Sequence, residues 1–503
     1  MSRTKKFFLN SISTAFYQVV LMIAGFITPR IMLKYYGSEI NGLVTSINQF
    51  ISYFNLVEAG LSGAAIYALY KPLAEKDHKA INGVVSAAKK FYTQSGYIFL
   101  FLTSLLAIFY PIYIKTNVLA PFEMGLLVLL LGTNGALEFF TLSKYRVLLT
   151  SDQKTYVISL VSTIYIIVNT IIVIIFGTQQ VNIVILRFVV LLSIFLRSFI
   201  LMIYVKINYN YIYYKAKPNT KALNKRWDAL YLQILGVVHT GAPVVILTIV
   251  TRDLKLVSIY SIFNIVMAGI NGILEIFKSG LSASFGDVIA RGENKVLKKS
   301  YTEFEMAYYS LITIVYSISF TMIMPFIRVY TQDIADVDYN IPLFGFLIVL
   351  NGLLYNIKTP QGMLVISAGL YKETRIPTTI QGLMTVVLGF ILAPFWGLYG
   401  VIAASIISNL YRDIDLIFFV PKHITKLPVA NTVKRTLLLA ISILLICLPI
   451  GNIDINPSGY IQWITYAIFI GLYACIVVFV ISLLFDRKIL KSVVYRIIGM
   501  VRR

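Results

Sequence analysis

The stretch GFITPRIMLKYYGSEINGLVTSINQFISYFNLVEAGLSG, residues 25–63, decides how the rest of the chain is read. It joins the end of one apolar segment, carrying Pro29 and Arg30, to a short polar turn over 34–39 and then to a second apolar segment. That second segment still holds Asn48, Gln49, Asn55 and Glu58. A charge at mid-membrane costs about 2.5–3.5 kcal/mol on insertion scales, so such groups face a protein interior or a wet cavity. The stretch reads as half of a polar pathway.

Working outward, apolar residues make up 58% of 503 positions and mean hydropathy is +0.80, well above the roughly 45–50% of soluble domains. The class is all-α and polytopic. MSRTKK followed by an apolar run imitates a secretory signal, but no small-residue cleavage site follows, and the segment reads as a retained first span. Runs of about 20 apolar residues predict helices near 13–33, 40–70, 91–114, 122–142, 156–176 and 183–205. Six more follow near 230–250, 254–277, 304–327, 341–370, 376–395 and 398–420, and a last pair near 436–450 and 460–485. The expectation is about fourteen spans.

The net charge of +22 is explained by placement. With the N-terminus inside, most of the 44 Lys and Arg fall at cytoplasmic positions. Only Lys34, Lys115, Arg252, Lys255 and Arg328 fall outside, and Arg30, Arg187, Arg197, Lys358 and Arg412 lie within spans. Positive loops stay in the cytoplasm, so both ends are expected there, against anionic membrane lipids. Nucleic acid is not needed to account for the charge.

Internal repetition organises the chain. AGLSGA at 59–64 returns as SGLSAS at 279–284, Gly132 answers to Gly352, and Phe176-Gly177 to Trp396-Gly397, each 220 residues on. Pro29 with Pro243 and Pro111 with Pro325 repeat at 214. A six-helix unit used twice gives parallel repeats, because six is even. The expected parts are an N-terminal lobe at 1–205, a basic cytoplasmic linker at 206–228, and a C-terminal lobe at 229–420. An extra helix pair at 421–485 and an interfacial basic tail at 486–503 complete the chain. Tyr209, Tyr211, Tyr213 and Tyr214 in the linker read as an interfacial anchor, and the amphipathic tail as a helix lying along the membrane surface. Interrupted helices at matching positions point to a cargo site; those carrying Pro29, Pro243 and the Thr359-Pro360-Gln361-Gly362 break are the candidates.

The segment ITPRIMLKYYGSEINGLVTSINQFISYFNLVEAGL resembles the start of the polysaccharide-repeat flippases, the Wzx-type members of the multidrug/oligosaccharidyl-lipid/polysaccharide exporter superfamily. The likeness lies in an arginine late in the first span, the Gly37-x-Glu39-x-x-Gly42 turn, and a second span closing on Glu-Ala-Gly-Leu. The turns TSDQKT (150–155) and SAGLYKET (367–374) are also similar to that family. The resemblance implies a V-shaped pair of six-helix lobes with alternating access. Its implied cargo is a polyprenyl-diphosphate-linked oligosaccharide carried from the cytoplasmic to the outer leaflet of a bacterial cytoplasmic membrane. Polysaccharide polymerase and glycosyltransferases are the implied partners, and no cofactor is implied. Cationic cavity residues would engage the diphosphate, and the last two helices would form a groove for the lipid tail. This chain departs from the pattern in having only Arg30 where the first two spans would carry an arginine cluster.

Residue by residue, the candidate cavity cations are Lys358, Arg30, Arg197 and Arg412. Lys358 sits deep beside the Thr359-Pro360 break; Arg197 has no carboxylate at helical spacing. Arg30 and Arg187 are shallow enough to snorkel, the surface reading being preferred for Arg187, and Arg412 has Asp415 three residues on, a self-neutralised pair being the competing reading. At the 220 separation Glu58 answers to Lys278 and Glu138 to Lys358, a candidate gate if these groups meet across the lobes; Glu275 could instead hold Lys278. His239 is a candidate for proton coupling. No Walker loop and no H-E-x-x-H occur, the three histidines are scattered, and Cys447 and Cys475 read as inert core thiols. No catalytic or metal site is expected. The competing functions are a drug or small-solute antiporter, which would centre on carboxylates, and a membrane-embedded polymerase or ligase, which the short outer loops disfavour.

Overall fold

A computed structural model describes residues 3–58, 61–220, 226–278 and 281–501. These are helical almost throughout, with no strand among them. The chain separates into two compact units, Met1–Ser261 and Ile262–Arg503. That packing boundary falls within a helix, whereas the limits read from the sequence mark a repeat.

Unit 1 is built from α1 (Arg3–Phe54), α2 (Leu61–Glu75), α3 (His78–Tyr113), α4 (Pro121–Leu137), α5 (Ser143–Ser151), α6 (Thr155–Thr178), α7 (Ile183–Asn208), α8 (Arg226–Thr251) and the start of α9 (Leu254–Lys278). Unit 2 takes the rest of α9 with α10 (Leu281–Ala290), α11 (Asn294–Tyr330), α12 (Pro342–Ile357), α13 (Thr359–Ser367), α14 (Arg375–Trp396), α15 (Leu398–Val420), α16 (Val429–Gly451), α17 (Tyr460–Phe485) and α18 (Arg487–Val501). Among the described residues, twelve helices have the length and hydropathy to cross a membrane; the protein is a multi-pass membrane protein. The difference from fourteen has two sources. Phe8–Glu75 counts as one stretch although Gly37 breaks it, and α15 is passed over, since it carries Arg412, Asp413 and Asp415.

The opening stretch is described except for residues 59–60. Gly37 adopts φ 81°, ψ 170° inside α1, a region essentially reserved for glycine, and so turns one apolar segment into the next. Glu39 accepts a hydrogen bond from the Thr116 hydroxyl beyond α3. Gly42 lies against the Leu254 carbonyl so closely that a Cβ would overlap it. The three residues of the Gly-x-Glu-x-x-Gly turn thus supply a break, an anchor and a close backbone approach. Beyond them Asn41 donates to Ser258 at 2.8 Å, and Ser46 accepts from Thr248 at 2.9 Å and Tyr110 at 2.8 Å. These satisfied polar pairs make a seam between α1 and α8–α9. Pro29 and Pro243 lie in helices that continue through them.

The tyrosine-rich linker differs from its expected role. Tyr209 is buried and donates to Asp152 at 2.5 Å, Tyr211 stacks on His78 with ring centroids 4.0 Å apart, and the Tyr214 hydroxyl is buried. Only Tyr213 of the four is largely exposed. Asn82 clamps the segment by donating to the Tyr211 carbonyl and accepting from the Tyr213 amide, so its aromatic faces serve packing within unit 1. Cys475 is exposed on α17 rather than buried in a core. In the tail, α18 is tied to α11 by Ser492 donating to Glu303 at 2.5 Å and by an Arg496–Glu303 ion pair of 2.9 Å.

Candidate functional site: interrupted helices with buried charge

Lys358 occupies the one-residue gap between α12 and α13, at φ −74°, ψ −5°. Pro360 has no amide hydrogen to continue α12 and is well placed in the first turn of the next helix; the tenth span therefore breaks where the sequence reading put it. The partly buried ammonium donates to Asn409 Oδ1 and lies 5.1 Å from the Tyr355 ring centroid. Asn409 also accepts from Gln381 Nε2 at 3.2 Å and donates to Asn351 Oδ1 at 2.9 Å. Lys358 is thus held by one neutral amide, itself braced by two others, and by an aromatic face.

One turn beyond Asn409, Asp413 is 5% exposed, and neither of its carboxylate oxygens has a hydrogen-bond partner among the described residues. Lys358 is the cation that acts on it. Neither Asp413 nor Asn409 was among the expected site residues. Their signal was present: α15 runs Asn-Leu-Tyr-Arg-Asp-Ile-Asp through an otherwise apolar span, and Arg412 with Asp415 drew the attention. Arg412 pairs with Asp415 on its own helix.

A second buried cluster involves Gln361 in the first turn of α13. Glu305 on α11 is 1% exposed and accepts from Tyr301 at 2.8 Å, Thr432 at 2.8 Å and Gln361 at 3.2 Å, with Arg435 completing an ion pair. Arg435 also lies 3.8 Å from Asp486. Sequence reading missed this hub because its members come from three separate helices, α11, α13 and α16.

In unit 1, Glu138 opens a π-turn over Glu138–Leu142 between α4 and α5, a distortion common at functional positions. Arg197 on α7 donates to it at 2.6 Å, Arg146 lies 4.0 Å away, and the Arg197 guanidinium is 5.5 Å from the Tyr165 ring centroid. Glu58, on a 3-10 turn after α1, is approached by Arg146 and Tyr92. Arg197 and Glu138, expected separately, are therefore brought together. Lys278 pairs with Glu275 on its own helix. Arg30 on α1 and His239 on α8 are half-buried within unit 1. Glu138 and Lys358, 220 residues apart, both sit where the fourth helix of a repeat is disturbed, with opposite charge and with a partner inside their own unit.

Set beside solved structures, the chain resembles the lipid II flippase MurJ in an inward closed conformation, with a TM-score of 0.71 and 16% identity over 96% of this chain and 100% of that one. An inward-facing multidrug resistance MATE family transporter of the MOP superfamily gives 0.67 at 14% identity, over 82% and 96%. MATE in a bent conformation gives 0.52 at 14%, over 86% and 100%. No family model matches the sequence, and no curated protein matches it. At identities this low the likeness is one of fold alone, shared with the MurJ and MATE structures.

Proposed function

We propose that this protein flips a polyprenyl-diphosphate-linked oligosaccharide from the cytoplasmic to the outer leaflet of a bacterial cytoplasmic membrane, by alternating access, for surface polysaccharide synthesis such as capsule, exopolysaccharide or O-antigen. The observation that carries the reading is Lys358: a cation at the break of an interrupted membrane helix, held by the Asn409 amide. A diphosphate crossing a low-dielectric region needs a fixed cation to offset its desolvation. Lys358 makes its hydrogen bond to a neutral amide, and Asp413 acts on it without a hydrogen bond, so it can turn to such a ligand at smaller expense than a lysine committed to a tight ion pair. A groove of about 560 Å³ in unit 2, lined by Phe320, Met324, Phe346, Leu350, Ile443 and Leu444 with Arg328 among its polar residues, suits an isoprenoid tail. The likeness to a lipid II flippase along the full chain supports the same class of cargo.

Loss of the gene is expected to block surface polysaccharide and leave lipid-linked repeat units at the cytoplasmic leaflet, with efflux of cationic dyes unchanged. Lys358→Ala should abolish transport at normal protein level, and Lys358→Arg should retain part of it. Unimpaired transport by Lys358→Ala would move the cation site to Arg30 and Arg197. A second reading, a cation-coupled drug antiporter, is favoured by one observation, the buried carboxylate of Asp413. Normal polysaccharide with lost dye resistance in the deletion strain, reproduced by Asp413→Asn, would establish it instead.

A further inference from the structure

Arg187 is a cation inside unit 1 that the proposed cargo path does not use. It lies one turn into α7, which begins at Ile183. Its side chain turns inward: Nη2 rests 3.7 Å from the Met32 thioether, and Nε is buried without a hydrogen-bond partner among the described residues. The ionisable groups that act on it are two phenols, Tyr36 and Tyr165, and Tyr36 directs its own O–H to the Val181 carbonyl at 2.6 Å.

The carboxylates on the surrounding elements are otherwise engaged. Glu39 on α1 accepts from Thr116, Glu123 on α4 accepts from Asn182 at 3.2 Å and from the Ala120 amide at 3.1 Å, and Glu138 is paired with Arg197. A guanidinium keeps its proton under all ordinary conditions; Arg187 is partly buried, and at its Nε, which is out of water, an uncompensated charge is disfavoured. The first turn of α7 adds partial positive charge of its own. The local field therefore calls for an anion.

The space limits which anion. Met32, whose thioether lies against Nη2, is 2% exposed, so the lining there is close-packed. We propose that Arg187 holds a small inorganic anion inside unit 1, chloride at cellular concentrations. The thioether and the neutral phenol rings give a polarisable lining that suits a halide, and the partial exposure of Arg187 leaves it a route for exchange with solvent. The ion balances the charge of α7 independently of any cargo.

The test uses the full-length protein purified in detergent. Thermal midpoints measured in chloride, bromide, phosphate and gluconate at equal ionic strength should be higher by several degrees in the two halides, because a ligand bound only to the folded state raises its stability. Arg187→Gln should remove that halide dependence. Should Arg187→Gln fail to fold, Arg187→Lys is expected to keep a weakened halide shift, and anomalous scattering from bromide in crystals of the unmodified protein should fall beside Nε. Equal midpoints in chloride and gluconate, stabilisation by phosphate matching that by chloride, an undiminished halide shift in either variant, or bromide found only elsewhere would each overturn the proposal.

Discussion

Glu305 and Arg435 form the most deeply buried ion pair among the described residues of unit 2, their side chains 1% and 7% exposed. Removing one member of such a pair strands the other charge, at a cost of about 3–5 kcal/mol, whereas replacing both with apolar groups of similar size is often neutral or better. Glu305→Ala should therefore yield little folded protein, and Arg435→Met should be nearly as damaging. Glu305→Leu combined with Arg435→Met should recover much of the loss, although Tyr301, Thr432 and Gln361 would lose an acceptor. Size-exclusion profiles and thermal midpoints of the purified variants check this; a double variant worse than both singles would mean that the acceptor role of Glu305 outweighs its charge. Lys358 was legible in the sequence because a lone lysine beside Thr-Pro inside an apolar run has no local explanation. Glu305 was not, since it lies at the margin of its span and its partners come from α13 and α16. Asp413 was hidden for the opposite reason, its neighbours Arg412 and Asp415 offering a complete local account of the charge.

Helices read from apolar runs are right wherever the run is uniform, and misjudged where a span is interrupted or where polar side chains fasten a segment. The second span, expected as one helix over 40–70, is interrupted by the 3-10 turn Asn55–Glu58 before α2. The linker tyrosines looked interfacial because composition cannot report that His78 and Asn82 receive them. The TSDQKT turn shows what a short polar motif between spans can do. Asp152 accepts from Lys6 of α1 at 2.9 Å and from Tyr209 after α7 at 2.5 Å, with Lys154 at 3.0 Å, so one carboxylate fastens three segments. Partial burial alone would raise its pKa, but the hydrogen bonds from Tyr209, Lys6 and Lys154 outweigh it and hold the carboxyl below its ordinary value. A carboxylate depressed on folding contributes stability fully above its unfolded pKa, about 3.9, and loses that contribution as pH falls through the folded value. The stability difference between the unmodified protein and Asp152→Asn should therefore be constant through neutral and mildly acid pH and shrink only below about pH 4. Thermal midpoints across a pH series check it; a gap that narrows already near neutrality would mean that another group, not Asp152, carries the effect.

At the scale of the whole chain, the repeat read from Gly132 with Gly352 and from Phe176-Gly177 with Trp396-Gly397 corresponds to helices disturbed at equivalent places, Glu138 in one unit and Lys358 in the other. The signs are opposite, and the partners, Arg197 against Asn409 and Asp413, lie on the sixth helix of each repeat. Orientation is the property on which the direction of any transport depends, and it rests on where the lysines and arginines fall. Translocating a basic segment is disfavoured, so the linker with Lys215 and Lys217 and the α2–α3 turn with Lys76 and Lys79 should lie in the cytoplasm, and the nearly uncharged α16–α17 connection outside. A background of Cys447→Ser with Cys475→Ala leaves no native thiol, since the chain has only these two. In that background Ser458→Cys should react with a membrane-impermeant maleimide on intact cells, while Lys217→Cys should react only after permeabilisation. Both positions lie in connections outside the helices, so neither substitution disturbs packing within a span. The reverse pattern would invert the chain in the membrane, and with it the leaflet from which an anionic cargo could reach Lys358.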